Sequence, residues 1–136
     1  MLRVHYQKEV RFHGIVLCFD STDSNSFTQA TAIYKELMKD PEDHSKLSKF
    51  AKIPVAMTST KLDLTDYLVS DGTEIPRCVS TSDLRTWLGK VHRRSENAVF
   101  ETSAVENIGV SMMVEWIVKS ALRAYPAVEK SKSKKV

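Results

Sequence analysis

The chain has 136 residues, of which 42% are hydrophobic and 27% charged, and its formal net charge is +3. These values are typical of one globular domain with a buried core and give no indication of specific nucleic-acid binding. Much of the positive charge lies in residues 127–136, which we expect to form a disordered basic tail, either solvated or touching an acidic surface such as lipid, RNA or a tubulin-like partner.

Two cysteines, Cys18 and Cys78, are too few for a disulfide framework and predict a reducing, intracellular compartment. Cys18 falls in an apolar run and is predicted to be buried in the core. No apolar stretch approaches the roughly 20 residues that span a bilayer, and no signal peptide is visible. No cysteine near Val136 offers a prenylation site, so we expect a cytoplasmic protein without a membrane anchor.

The first half of the chain predicts a buried strand followed by an amphipathic helix. Residues 14–20 are apolar and partly β-branched and end on an acid, as in a strand buried on both faces of a parallel sheet. Asp23 to Ser26 supply capping side chains for a helix. Its predicted inward residues are Phe27, Ala30, Ile33, Tyr34 and Leu37. Residues 40–52 are predicted to form a loop in which Leu47 and Phe50 pack.

The second half repeats the pattern twice. Residues 53–58 predict a strand with Pro54 near its start, and residues 65–77 a loop. Ser80, with Asp83 three positions later, begins a helix whose inward residues are Leu84, Trp87, Leu88 and Val91. Residues 98–102 predict a third strand. The last helix, over about 110–124, has Val110, Met113, Val114, Ile117 and Ala121 as its inward residues.

The order β-α-β-α-β-α predicts an α/β fold with a parallel sheet and right-handed crossovers. Ligands of such sheets bind beyond the carboxyl ends of the strands. Functional residues are therefore expected directly after the strands. They are Thr60-Lys61-Leu62-Asp63 after the second strand and Glu101-Thr102-Ser103-Ala104 after the third.

These two segments resemble the Asn-Lys-x-Asp and Glu-Thr-Ser-Ala-Lys signatures of Ras-superfamily small GTPases. Residues 14–27 likewise resemble the fourth strand and following helix start of Rab-type members, and His5-Tyr6 with Gly14 resemble the end of the switch II helix in Rab and Arf proteins. The resemblance covers about residues 5–125. It implies a partial three-layer, P-loop-NTPase-like fold, with a domain over residues 1–126.

The resemblance also implies which residues would read a guanine base. Asp63 would accept hydrogen bonds from the base N1–H and N2 amine, Lys61 would lay its stem along the base, and the backbone N–H at Ala104 would face O6. The candidate site comprises Thr60, Lys61, Asp63, Ser103, Ala104 and Val105. The ordinary alternatives are a turn or helix cap for Asp63 and a local backbone hydrogen bond for Ser103.

This site departs from the family pattern in three ways. Thr60 stands in place of the signature Asn, and Val105 in place of the signature Lys. No Gly-x-x-x-x-Gly-Lys-Ser/Thr segment occurs in the 136 residues, nor do the Mg²⁺-holding Thr of switch I or the Asp-x-x-Gly of switch II. We therefore expect no catalytic residue, no metal ligand and no GTPase activity from these residues. GTP or GDP with Mg²⁺ is expected only with an N-terminal half.

Two functions follow from these observations. The chain acts either as a degenerate small-GTPase-like module that binds proteins, or as a Rab/Arf-like nucleotide switch whose P-loop half lies upstream. For the first, we expect a protein partner to cover the edge of the Ile15–Phe19 strand. Cytoskeletal or ciliary location rests on family analogy. An unrelated flavodoxin-like domain is a third reading.

The other groups of polar residues are weaker indications of a functional site. The four histidines lack metal-ligand spacing. Residues 90–94, Lys-Val-His-Arg-Arg, form a basic cluster at the end of a predicted helix, where cations are favoured by the helix dipole. A contact of this cluster with a phosphate or a partner is the alternative.

Overall fold

The computed structural model describes residues 12–40, 42–43, 45–65, 76–93 and 96–124. In these ranges the elements are β1 (Ile15–Asp20), α1 (Ser24–Met38), a 3-10 turn (Lys49–Lys52), β2 (Val55–Thr60), α2 (Leu62–Thr65), α3 (Thr81–Val91), β3 (Asn97–Glu101) and α4 (Val110–Ala124). The predictions made for His5-Tyr6, for most of the 65–77 loop and for the basic tail lie outside the described residues.

The three strands form a parallel sheet in the order β1-β2-β3, with β2 in the centre. Ile15 is opposite Val55 in the β1–β2 pair, and Val55 is opposite Asn97 in the β2–β3 pair. The predicted α/β class and parallel sheet are confirmed. The second strand begins and ends two residues later than predicted. It begins after Pro54, because Pro54 has no N–H to donate. Only the carbonyl oxygen of Pro54 bonds to the sheet, accepting from the Ile15 N–H at 3.0 Å.

One face of the sheet carries the core under α1 and α3. Buried side chains from β1 and β2 meet those of the two helices there: Leu17, Phe19, Val55, Met57, Ala30, Tyr34, Met38, Leu84 and Leu88. Both helix starts have the predicted caps. The Asp23 side chain accepts a hydrogen bond from the N–H of Asn25, and Ser80 accepts one from the N–H of Asp83. These caps end the preceding loops and direct each helix onto the sheet.

The helix α4 covers the other face of the sheet incompletely. Its Trp116 ring lies 5.9 Å from that of Phe100 on β3, and Ile117 packs against Gly14 before β1. Cys18, on the same face of β1, is exposed, so the prediction that it is a buried core residue is wrong. Its run of apolar neighbours is typical of a strand covered on both faces, whereas in the described residues β1 is covered on one.

Four predicted inward side chains are in fact substantially exposed: Ile33, Leu47, Val91 and Val114. In α1 the residues that face the sheet are Ala30, Tyr34 and Met38, at i, i+4 and i+8, which leaves Ile33 to one side. The one-turn helix α2 was not predicted, since residues 59–64 were assigned to no element and four residues are too few to show a period. None of the helices in the described ranges is long and apolar enough to cross a bilayer.

Candidate functional site

The predicted site residues come together at the carboxyl ends of β2 and β3. Thr60 ends β2, and Lys61 takes a left-handed backbone conformation with φ of 60° before α2 begins. The two segments are joined through the backbone. The N–H of Leu62 donates to the carbonyl oxygen of Thr102 at 3.0 Å, and the N–H of Thr102 donates to that of Ser59 at 2.9 Å. This ladder fixes the distance between the two motifs.

Asp63 and Ser103 are in direct contact. The Ser103 hydroxyl donates to Asp63 Oδ1 at 2.8 Å and accepts from the N–H of Glu106 at 3.1 Å. Ser103 is fully buried, whereas Asp63 is half-buried. The local backbone bond considered for Ser103 is thus present, and the same hydroxyl orients the carboxylate of Asp63. A carboxylate held in this way can accept hydrogen bonds from a planar ligand edge.

The loop after Ser103 is held by its backbone. Ser103 and Ile108 exchange both N–H to carbonyl hydrogen bonds, at 3.0 and 2.9 Å. Gly109 has φ of 75°, and a Cβ atom at this position would lie 2.2 Å from the carbonyl oxygen of Glu101. Only glycine fits there. Ala104 and Val105 are exposed at the loop tip, with 82% of Val105 exposed. The sequence prediction did not assign a role to Gly109. A glycine shortly after the Ser103-Ala104 pair was a visible signal for the tight loop found here.

Lys61 is paired within the protein. Its Nζ lies 2.8 Å from Asp20 Oδ2, at the end of β1. The hydrogen bond that Lys61 donates, together with two from Thr22, lowers the pKa of Asp20 to about 2. Donating this bond to the Asp20 carboxylate raises the pKa of Lys61. Asp20 was not among the predicted site residues, although its position after an apolar strand indicates the sheet edge where ligands bind.

Thr60 also bonds within the protein. Its hydroxyl donates to the carbonyl oxygen of Phe19 at 3.1 Å, which joins the ends of β1 and β2. An Asn amide has two N–H donors, whereas this hydroxyl has a single proton, already given to Phe19, and can otherwise only accept. The Thr60 proton is therefore used in a strand-to-strand contact.

A cavity of about 590 Å³ lies beside these residues. It is lined by the site residues Thr60, Lys61, Asp63, Ala104 and Val105, and by Cys18, Thr58, Leu64, Thr102, Val110 and Met113. Inside it, the hydroxyls of Thr58 and Thr102 bond to each other at 3.1 Å. Within the described ranges, no three His, Cys, Asp or Glu side chains lie where they could hold a metal ion. The chemistry of the site is hydrogen-bond acceptance by Asp63 beside an apolar wall.

A family model described as the Ras family matches residues 2–123, nearly the whole chain. The chain belongs to the Ras family. Over 131 residues it is 29% identical to the Ras-related protein Rab-32C of Dictyostelium discoideum, an alignment that covers 96% of this chain. The same alignment covers 49% of Rab-32C, so this Ras-family chain spans about half the length of that relative. The predicted membership of the small GTPases is confirmed, and the flavodoxin-like reading is wrong.

Proposed function

We propose that this Ras-family chain is a protein-binding module whose guanine site is too incomplete to hold a nucleotide by itself. The observation that supports this function best is the use of the site's polar groups inside the protein. Lys61 pairs with Asp20, and the Thr60 hydroxyl bonds to β1. A nucleotide would have to displace these contacts or do without them.

The expected affinity follows from what is left. One bidentate contact to Asp63 and packing on the base amount to a few kcal/mol, which corresponds to a dissociation constant of about 1 mM or weaker. In P-loop proteins most of the nucleotide affinity comes from phosphate and Mg²⁺ contacts, and the 136 residues carry no segment of that type. Hydrolysis would need the same groups.

The surface proposed for a partner is the unpaired edge of β1 together with the adjoining face of that strand. Val16 and Cys18 lie on it, and no described strand pairs with this edge. On α4, the residues Val114, Val118 and Leu122 follow one another at i, i+4 and i+8 and are about half exposed or more. They form an exposed apolar row on the helix that partly covers this face of the sheet. A protein segment that adds a strand to β1 would cover its unpaired edge.

The second candidate function is a GTP-binding switch whose P-loop half lies upstream in a longer chain. The observation that favours it is the contact between Ser103 and Asp63, since it orients the carboxylate beside an apolar cavity. In that case GTP or GDP with Mg²⁺ is the ligand. Both functions suit a reducing compartment such as the cytoplasm, because Cys18 and Cys78 are unpaired.

A nucleotide titration separates the two functions. We expect a fluorescent methylanthraniloyl-GDP probe with Mg²⁺ to show no saturable binding to the 136-residue chain below about 1 mM. Micromolar binding would refute the proposed function. Should such binding be seen, Asp63→Asn provides the control. An amide can donate to the O2 carbonyl of xanthine, which replaces the guanine amine, so a switch from GDP to XDP would assign the binding to Asp63.

A further inference from the structure

A cavity with a cationic rim lies at the opposite end of the sheet from Asp63. It has a volume of about 420 Å³ and lies between the C-terminal ends of α1 and α3 and the loop before β2. His92 marks its position, because its Nε2 lies 2.7 Å from the carbonyl oxygen of Ile53, at the amino end of β2. β2 has six residues, and roughly 3.3 Å per residue puts the two sites about 20 Å apart.

The rim carries more positive charge than the helix ends need. Lys35, Lys39, Lys90 and Arg93 line the cavity. Glu36 lies 3.9 Å from Lys39. Each helix C-terminus carries roughly half a negative charge, and Glu36 and Asp40 beside the rim carry one each, which makes about three negative charges against four positive ones. The surplus is available to an anionic ligand.

The inner surface of the cavity is apolar. Tyr34, Met38 and Ala51 are buried in its wall, whereas Leu47 and Val91 expose 52% and 40% of their surfaces beside it. Both exposed residues were predicted to pack inward, and both are aliphatic. A concave apolar wall with exposed aliphatic side chains at its mouth can take up a hydrophobic side chain from a ligand.

The wall is held in place by buried hydrogen bonds. The Tyr34 hydroxyl lies 3.0 Å from His92 Nδ1 and 3.0 Å from the carbonyl oxygen of Val91. The Tyr34 ring also meets the Trp87 ring edge-on at 5.5 Å. The C-terminal ends of α1 and α3 are therefore fixed to each other and to β2. A site formed in advance loses less entropy when a ligand binds.

From this combination we propose that the cavity binds an acidic linear peptide segment of a partner protein. An aliphatic or aromatic side chain of the peptide inserts beside Leu47 and Val91, and flanking carboxylates bind the lysines and Arg93. Four cations spread around a rim fit several carboxylates along a chain, and the concave shape suits a protruding side chain better than a flat lipid surface. This inference rests on the proposed protein-binding function and adds a second surface to it.

Fluorescence anisotropy with a defined probe tests the site. The probe is a fluorescein-labelled peptide of alternating Asp and Glu around a central Leu-Phe pair. We expect the double variant Lys35→Gln/Lys90→Gln to weaken binding about tenfold, and Leu47→Ser to weaken it by a similar factor. The charge-matched control, Arg85→Gln/Lys119→Gln, removes two exposed cations elsewhere and should leave the affinity unchanged. Thermal melts confirm that each variant is folded.

Three outcomes would overturn the proposal. They are an equal loss in the control variant, equal affinity for a probe with Ser-Ser in place of Leu-Phe, and selective binding of phosphatidylserine vesicles with the same dependence on Lys35 and Lys90. The nucleotide titration on the same preparation keeps the two conclusions apart. If the unaltered chain binds both GDP tightly and the peptide probe, the proposed function alone is refuted. If it binds neither GDP nor the peptide probe, this inference alone is refuted.

Discussion

The polar side chains after β2 obtain their partners from a distant part of the chain. Lys61 and Asp20 are 41 positions apart, as are Thr60 and Phe19. The sequence predicted which residues stand at the carboxyl end of the strand, because that follows from the apolar run before them. It could not predict their partners, since these depend on the register between β1 and β2. The position of Asp20 at the end of the first strand was visible in the sequence, whereas its pairing with Lys61 was not.

His92 should make stability depend on pH. Its ring is buried between Tyr34 and Ile53, and burial lowers its pKa below the usual value. The folded protein therefore binds this proton more weakly than the unfolded chain, whose His pKa is about 6.5. Stability is fully present above that value and is lost as pH falls from it toward the lowered pKa. We expect the melting temperature to fall between about pH 7.5 and 5.5.

The variant His92→Gln should flatten this pH dependence, at some cost in stability at neutral pH. His13→Gln serves as the control, because it removes an exposed imidazole and leaves the buried contacts of His92 in place. If the melting temperature falls with pH equally in His92→Gln and in the unaltered chain, His92 is not the cause of the pH dependence. Differential scanning fluorimetry across the pH series is sufficient to measure it.

At the scale of elements, capping residues predicted the helix starts better than the spacing of apolar residues predicted the buried helix faces. Asp23 and Ser80 cap α1 and α3 as predicted, because a capping bond is local and its spacing is visible in the sequence. Ile33 and Val114 were assigned to the wrong side, since an apolar residue at the border of a stripe faces inward only if another element covers it. That cover is a tertiary property. Prediction of the fold class needed only the order of elements.

Removing the cap of α3 should destabilise the whole described domain. In Ser80→Ala the N–H of Asp83 loses its acceptor, which lies at 3.1 Å. We expect a loss of about 1 kcal/mol in the free energy of unfolding, because Leu84 and Leu88 on this helix belong to the core. Urea unfolding followed by circular dichroism measures it. Ser82→Ala, an exposed change at the second residue of the helix, is the matched control, and an equal loss there would refute the capping role.

At the scale of the whole molecule, the open edge of β1 follows from the sheet order. The N–H groups of Ile15 and Ser21 bond toward β2, to the carbonyl oxygens of Pro54 and Thr60. Because N–H groups alternate in direction along a strand, those of Val16 and Cys18 point to the open edge. A paired β2 beside an open, apolar β1 is a template for strand addition.

We expect the chain to self-associate as its concentration rises, and Val16→Lys to reduce this, because a charged edge opposes strand pairing. Light scattering after size exclusion measures the change. Thr86→Lys adds the same charge on the exposed side of α3 and should leave self-association as it is. A chain that stays monomeric at every concentration, or equal behaviour of the two variants, would contradict the role of the edge.

The exposure of Cys18 has a practical consequence for finding what covers this edge. The Cys18 side chain on β1 is exposed to solvent. Cys78, the other cysteine, is half-buried, and its sulfur lies 3.6 Å from the carbonyl oxygen of Asp20. The chain thus carries a natural chemical footprinting probe at the surface of interest. The rate at which a maleimide modifies Cys18 reports whether the face of β1 beside the cavity is covered, in purified mixtures and without any engineered residue.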